Sequence, residues 1–451
     1  MDRLHHRIDA GRDALLSACS DAVREGQKVL HIFPEQGGAR TAVWRKGQRE
    51  IEEIEAGTGP YLRPSRAGFP SLRYAEESEF EQAAFEDERA EHTVSGEGMH
   101  VVPLGPVRAD VAEALRFEMD VLGDEIHGLA LHRGYKHRGV AQRMQGVEVG
   151  QALEIAERVT GTSTVAHALA FSLAVEDALG LEAGENTSLL RSALAELERL
   201  HSHLGDLASL ASATGTVVAA ADLYRLREAV LRFGAHWTGH RYLRGAIAPG
   251  GWRRDLQDVA PELPSFLADI EREFLAVRRA LDHTNSFLDR LHGAGRIPAA
   301  PLDLVGVVGR SAGSDEDVRW DRPYAWYTEL CAGRRPAALA TGDAFGRYFV
   351  RCEEIGHSIA MLRRSGAVRA KASALPAAAS DGIGYGLVEA PRGRLFYRVA
   401  LREGCIETCR IRTASSINWV AVPSALANHN ILQDFPIIDA SFNLCVASLD
   451  L

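Results

Sequence analysis

The chain has 451 residues and a mass of 49.0 kDa, enough for one large or two to three ordinary domains at roughly 150 residues each. Hydrophobic residues make up 46% and charged residues 25%, values of a globular protein, and no run approaches the about 18 apolar residues that span a bilayer. That excludes direct membrane insertion, and the net charge, 51 minus 61 or −10, lacks the basic excess of a nucleic-acid binder, so no nucleic-acid partner is expected. The start, MDRLHHRIDAGRDALL, has no apolar h-region before a small-residue cleavage site, which predicts a cytoplasmic chain without a secretory signal. Cys19, Cys331, Cys352, Cys405, Cys409 and Cys445 are scattered, which fits reduced thiols, and no Cys-x-x-Cys pair offers a zinc or iron–sulfur site.

In chain order, periodicity predicts an amphipathic helix over roughly 10–26, then a hairpin from VLHIF and TAVW around Gly37-Gly38. An acidic stretch, EESEFEQAAFEDERAEH, leads into SGEGMHVVPLGPV and reads as a linker, with a domain boundary near residue 95. Leu115, Phe117, Met119 and Val121 alternate, Gly123-Asp124 supplies a turn, and Leu129 and Leu131 alternate again, giving a second hairpin. Helical periodicity then runs over 146–180, 187–211, 216–236, 264–292 and 343–365. LFYRVAL and IETCRIRT flank Arg402-Glu403-Gly404 as a last hairpin. The fold class is mainly α, or α+β: a helical core with peripheral β hairpins, preceded by a small α+β segment over 1–95. No P-loop or dinucleotide fingerprint occurs.

From residue 99 onward a series of motifs falls in one order: GPVRADVAEALRFEMD at 105–120, RGYKHRG at 133–139, ERVTGTSTVAHALAFSLAVE at 157–176 and RSALAELERLHSHLGDL at 191–207. GHRYLRGAIAPGGWRRD at 239–255, DVRWDRPYAWY at 317–327, VEAPRGRLFYRV at 388–399 and DFPIIDASFNLCVASLDL at 434–451 complete it. Over 96–451 the chain resembles the large subunit of membrane-bound NiFe hydrogenases of the formate-hydrogenlyase type and its relative, the 49 kDa quinone-site subunit of respiratory complex I. The first segment weakly resembles a truncated 30 kDa-type module.

The resemblance implies two chemistries, and the residues depart from both. A NiFe centre needs four thiolates from two Cys-x-x-Cys pairs, because soft sulfur donors hold both metals. Here the pairs read Thr160-Gly161-Thr162-Ser163 and Cys445-Val446-Ala447-Ser448, and hydroxyls that stay protonated near neutral pH replace three thiolates. Ala141 stands where hydrogenases carry a glutamate after His-Arg-Gly. In the complex I relative, two histidines and a tyrosine approach the quinone headgroup. The matching positions are Arg108, Ala112 and Gly161, and an arginine does not readily deliver a proton.

Other implied roles concern neighbours. His137-Arg138-Gly139 matches the family's His-Arg-Gly, whose arginine lies beside an iron–sulfur cluster of the partner small subunit, and His203 matches a histidine near that cluster. Glu196, Arg199 and His203 share one helix face, which without the resemblance reads as a solvated stripe. Arg392 corresponds to an arginine above the metal centre and is read here either as part of a vestigial cavity or as a charge held for packing or for Asp434. Pro249-Gly250-Gly251 reads as a turn, Tyr324 and Tyr327 as packing residues, and Cys445 as a small buried apolar side chain.

The resulting expectation is a metal-free large-subunit homologue, binding no cofactor itself, in a membrane-associated complex I-like oxidoreductase assembly at the inner face of the membrane. Its partners would be an iron–sulfur small subunit and other peripheral and membrane-arm subunits. Two alternatives stay open: the quinone-reducing subunit of an NADH dehydrogenase variant, with quinone and NAD binding in the assembly, and a purely structural subunit.

Overall fold

A computed structural model describes five short strands before residue 76 and the chain from Gly96 onward, apart from 109–112, 298–303, 332–334, 336–337, 366–370, 373–380 and 450. The expected helix over 10–26 and the acidic linker lie outside the described residues. The chain divides into two compact units, one from Met1–Arg89 with His132–Gly134 and Ala299–Asp303, the other from Ala90–Leu131, Tyr135–Pro298 and Leu304–Leu451.

In the first unit, β1 (Gln27–Glu35) and β2 (Gly38–Arg45) form the expected hairpin, with Glu35 opposite Gly38. A third strand, β3 (Ile51–Ala56), pairs with β2, and β4 (Tyr61–Arg63) pairs with β5 (Arg73–Ala75).

The second unit opens with β6 (Met99–Leu104), β7 (Arg116–Leu122) and β8 (Glu125–His132); β7 and β8 are the hairpin read from alternation, turning at Gly123-Asp124. The helical centre follows as α1 (Val149–Ala156), α2 (Thr164–Leu179), α3 (Glu185–Ala213), α4 (Val217–Thr238), α5 (Leu263–Asp282) and α6 (Ala344–Ser365), with Phe435–Phe442 (α7) near the end. The helix expected over 146–180 is thus broken at 157–163, and the one over 264–292 breaks at His283-Thr284. A two-residue ribbon, β9 (Ile247–Ala248) and β10 (Gly251–Trp252), turns through Pro249-Gly250, where proline fixes the first turn position and Gly250 takes the positive φ of the second. The last hairpin is β12 (Gly393–Arg402) and β13 (Cys405–Arg412), joined through Glu403 and Gly404, both at positive φ; it is flanked by β11 (Gly382–Ala390), which the sequence reading does not contain. The short β14 (Asn430–Ile431) joins β8, giving the sheet order β14-β8-β7-β6.

Helix α2 is apolar on nearly all sides, and that composition demands burial all round. It packs lengthwise on β11. A Cβ placed on Gly382, Gly384 or Gly386 would lie 2.2, 2.0 or 1.8 Å from the carbonyl oxygens of Ala178, Ala174 and Ala170. Backbone therefore meets backbone along three successive turns, and glycine on the strand is a steric requirement. The first N–H groups of α2 find their acceptor on another helix: the Glu198 carboxylate takes Val165 N at 2.6 Å and Ala166 N at 2.9 Å.

Candidate functional site

Glu196, Arg199 and His203 on α3 do share a face, and all three are buried. Arg199 donates to the carbonyls of Glu389 (2.6 Å) and Ala390 (3.1 Å) and lies 3.3 Å from Glu354 on α6. Glu354 also accepts from Arg310 at 2.6 Å and meets His203 Nε2 at 2.9 Å, while Arg310 reaches Asp317 (3.3 Å) and Glu389 (3.1 Å). Arg319 joins Glu196 (3.1 Å) to Asp317 (2.7 Å), and Tyr327 and Ser358 each donate to Glu196 at 2.6 Å. Buried charges of this kind persist only when paired and hydrogen-bonded.

Three guanidiniums here face four carboxylates, Glu196, Asp317, Glu354 and Glu389. The excess falls on Glu389, which burial and then the nearby Asp317 charge raise to about 7. Burial opposes ionisation of Glu354 as well, but Arg310, His203 and Arg199 hold it well below the carboxylate range. Burial keeps the His203 pKa below its ordinary value, and its Nδ1 is buried without a hydrogen-bond partner among the described residues.

A second centre is built by two loops, 157–163 between α1 and α2 and 443–449 after α7. These loops carry the four positions matched above to the thiolates of hydrogenases, and across the loops Cys445 meets Thr160. Cys445 is half-buried, not buried as expected, and its Sγ donates to Thr160 Oγ1 at 3.2 Å, while Ser448 Oγ donates to the Cys445 carbonyl at 3.0 Å. Ser163 is buried at the start of α2, its carbonyl accepting from His167 N at 3.1 Å. Arg138 clamps the two loops, donating to the carbonyls of Arg158 (3.1 Å), Val159 (2.7 Å) and Ala447 (2.6 Å). Its hydrogen bonds go to neutral oxygens, which leaves a cation beside the loops. His137, next to it, contacts Gln142 Oε1 at 3.4 Å. One thiol and three hydroxyls do not supply the donors a NiFe centre requires. Among the described residues no group of three His, Cys, Asp or Glu side chains is placed to hold an ion.

Arg392 ties the two loops of the second centre to α3. It donates to Thr162 Oγ1 (2.7 Å) and the Asn443 carbonyl (2.5 Å) and pairs with Asp206 at 3.4 Å. The expected partner Asp434 is instead bonded to Ile431 N at 3.2 Å, one turn before α7, so Asp206 replaces it. Asp206 also holds Arg351 (3.2 Å) and Asn443 (2.5 Å). Arg108 forms an ion pair with Asp439 at 3.1 Å and lies over the Phe117 ring. Tyr324 accepts from Glu389 N at 3.0 Å and packs edge-on against Tyr327, whose hydroxyl, beyond the expected packing role, serves Glu196.

Sequence reasoning does not reach Asp206, Arg310, Arg319 or Glu354. One signal was present: Arg347, Arg351, Glu354 and Ser358 repeat at spacings of four, three and four along α6, matching the polar stripe of α3. His167, whose Nδ1 lies 2.7 Å from Tyr397 Oη, is also missed; burial and then Arg138 push it down to about 3, so it stays neutral.

Residues 138–212 match the family model of nickel-dependent hydrogenase, and residues 213–371 match that of the 49 kDa subunit of respiratory-chain NADH dehydrogenase. Adjoining stretches of the chain thus carry the nickel-dependent hydrogenase and complex I 49 kDa domains. Hydrogenase-4 component G of Escherichia coli K12 is 28% identical over 364 residues, covering 78% of this chain and 61% of that protein. An NADH-quinone oxidoreductase subunit of Sinorhizobium medicae is 29% identical over 265 residues, 58% of this chain and 65% of its own length. The chain therefore spans less than two thirds of either family relative. A chain of the membrane-bound sulfane sulfur reductase, an archaeal respiratory membrane complex, shares the fold at TM-score 0.72 and 21% identity, covering 79% of this chain and all of that one. No helix among the described residues is long and apolar enough to cross a membrane.

Proposed function

We propose that this chain is a metal-free large subunit of a membrane-associated, complex I-like oxidoreductase assembly, peripheral to the inner face of the membrane. It docks on an iron–sulfur small subunit and couples electron arrival there to the membrane-arm subunits, with or without quinone. The observation that carries this reading is the pair of loops at 157–163 and 443–449. The remaining thiol is bonded to Thr160, while the clamp by Arg138 is intact and leaves a cation whose hydrogen bonds go to neutral carbonyls. A cation of that kind suits a neighbour that becomes more negative on reduction, as an iron–sulfur cluster does.

Elemental analysis of the purified native complex tests the metal-free part. Iron without stoichiometric nickel is expected; one nickel per chain, or hydrogen uptake that disappears in Cys445→Ser, overturns it. The coupling part is tested by redox titration of the assembled complex with paramagnetic resonance detection. Arg138→Met is expected to lower the midpoint potential of the adjacent cluster at unchanged iron content. An unmoved potential in a fully assembled variant assigns the chain a structural role.

A further inference from the structure

Beside the second centre, and sharing Glu157 and Arg158 of its first loop, lies a cavity of about 720 Å³ between the end of α1, the end of α4 and the segment 239–257. Arg158, Arg244, Arg253 and Arg254 line it together with Glu154, Glu157 and Asp255. Two of the carboxylates are engaged in ways that leave arginines over. Glu154 is taken by Arg253 at 2.7 Å, and Asp255 accepts from Ala372 N at 2.7 Å. The third, Glu157, is buried and accepts from Gly245 N at 2.7 Å; burial raises its pKa against that bond and the charges of Arg253, Arg158 and Arg254.

Among the described residues the other three guanidiniums bond only neutral groups. Arg158 donates to the Glu154 carbonyl (2.5 Å), and Arg254 to the carbonyls of Gly245 (2.9 Å) and Thr238 (3.2 Å). Arg244 lies over the Tyr242 ring, and its Nε is buried without a hydrogen-bond partner among the described residues. The three come from different segments yet converge. His240, in the same wall, is held below its ordinary pKa first by burial and then by Arg244, Arg254 and Arg158.

We propose that this cavity binds an anion of the phosphate class, held by Arg158, Arg244 and Arg254. A tetrahedral oxyanion presents several acceptor oxygens to several guanidinium forks, whereas a carboxylate has two oxygens and saturates with fewer. The volume falls in the range of about 300–1,000 Å³ for small-molecule sites and exceeds a bare phosphate, so the phosphate belongs to a larger molecule: a phosphorylated metabolite or a lipid headgroup.

Calorimetric titration of the full chain with inorganic phosphate, at ionic strength held constant with chloride, is expected to show one saturable site. Arg244→Met and Arg158→Gln are each expected to weaken it about tenfold, the scale of one charge-assisted hydrogen bond. Arg158 is exposed and bonds only its neighbouring carbonyl, so Arg158→Gln keeps the test valid if Arg244→Met fails to fold. Arg402→Gln, which removes an exposed arginine paired with Glu407 outside the cavity, leaves the affinity unchanged. Sedimentation with phosphatidylcholine vesicles doped with phosphatidylglycerol separates the sources. Vesicle binding lost in Arg158→Gln assigns the site to a lipid headgroup, and phosphate binding without vesicle binding assigns it to a free phosphorylated molecule. Binding of neither probe, equal binding by parent and both variants, or binding of a polyglutamate peptide alone overturns the proposal.

Discussion

Glu198 and Glu389 hold protons that the unfolded chain releases. Burial raises Glu198 to about 8 against the two N–H bonds it accepts, and burial with the Asp317 charge raises Glu389 to about 7, both from 4.5. Each thus contributes stability that is full below pH 4.5 and lost as pH rises through about 7 and about 8. His167 and His201 act with the opposite sign: burial lowers both to about 3 from 6.5, so their contribution is present above pH 6.5 and lost as pH falls towards 3. The two effects oppose each other between 4.5 and 6.5, and above that only the acids act. Urea unfolding is therefore expected to show stability falling from pH 6.5 to about 8, and Glu198→Gln is expected to flatten the fall. A variant as steep as the parent would show that Glu198 is not the group responsible. Such acids were not legible in the sequence, because their environment comes from distant segments. Arg138 and Arg392 were visible as residues, but their partners were not: Ala447 is 309 positions from Arg138, and Asp206 is 186 from Arg392.

The elements whose signal lies in their own side chains were legible. Alternation found the hairpins β1–β2, β7–β8 and β12–β13, and helical periodicity found α3, α4 and α6. Strand β11 was not found because its inward positions are glycines, which carry no hydrophobic signal even where they are most constrained. The interruption at 157–163 was missed for a related reason. That loop is fixed by Arg138 and by Glu198 from another helix, and neither belongs to the local pattern. Gly384→Ala is expected to destabilise the second unit by about 1–3 kcal/mol or more, since its Cβ would meet the Ala174 carbonyl at 2.0 Å. Gly356→Ala, in the exposed interior of α6 with no atom within 4 Å, is expected to stabilise by up to about 1 kcal/mol. Thermal unfolding of the two variants should move the midpoint in opposite directions, and a shift of the same sign in both would refute the steric account.

The second unit contains α1–α7 and the sheets β6–β8 with β14 and β11–β13, and both charged centres lie within it. Deletion of residues 1–89 is accordingly expected to leave one cooperative calorimetric transition and native near-ultraviolet dichroism. A molten or insoluble product would show that the first unit completes the core. At this scale the sequence was most informative about ancestry, since motif order spans most of the chain, and least about charge pairing, which only the fold assembles. The seam between α2 and β11 carries a mechanical consequence. With carbonyls seated against glycine Cα atoms, the helix has no side-chain layer that could yield, so it can neither roll nor slide along the strand. The loop ahead of Thr164 and the turn carrying Arg392 thereby meet at one end of a common ruler made of main chain. Exchanging thiols for hydroxyls at 160, 163 and 448 alters what the loops can bind without shifting the walls around them, so the mould can outlast the casting.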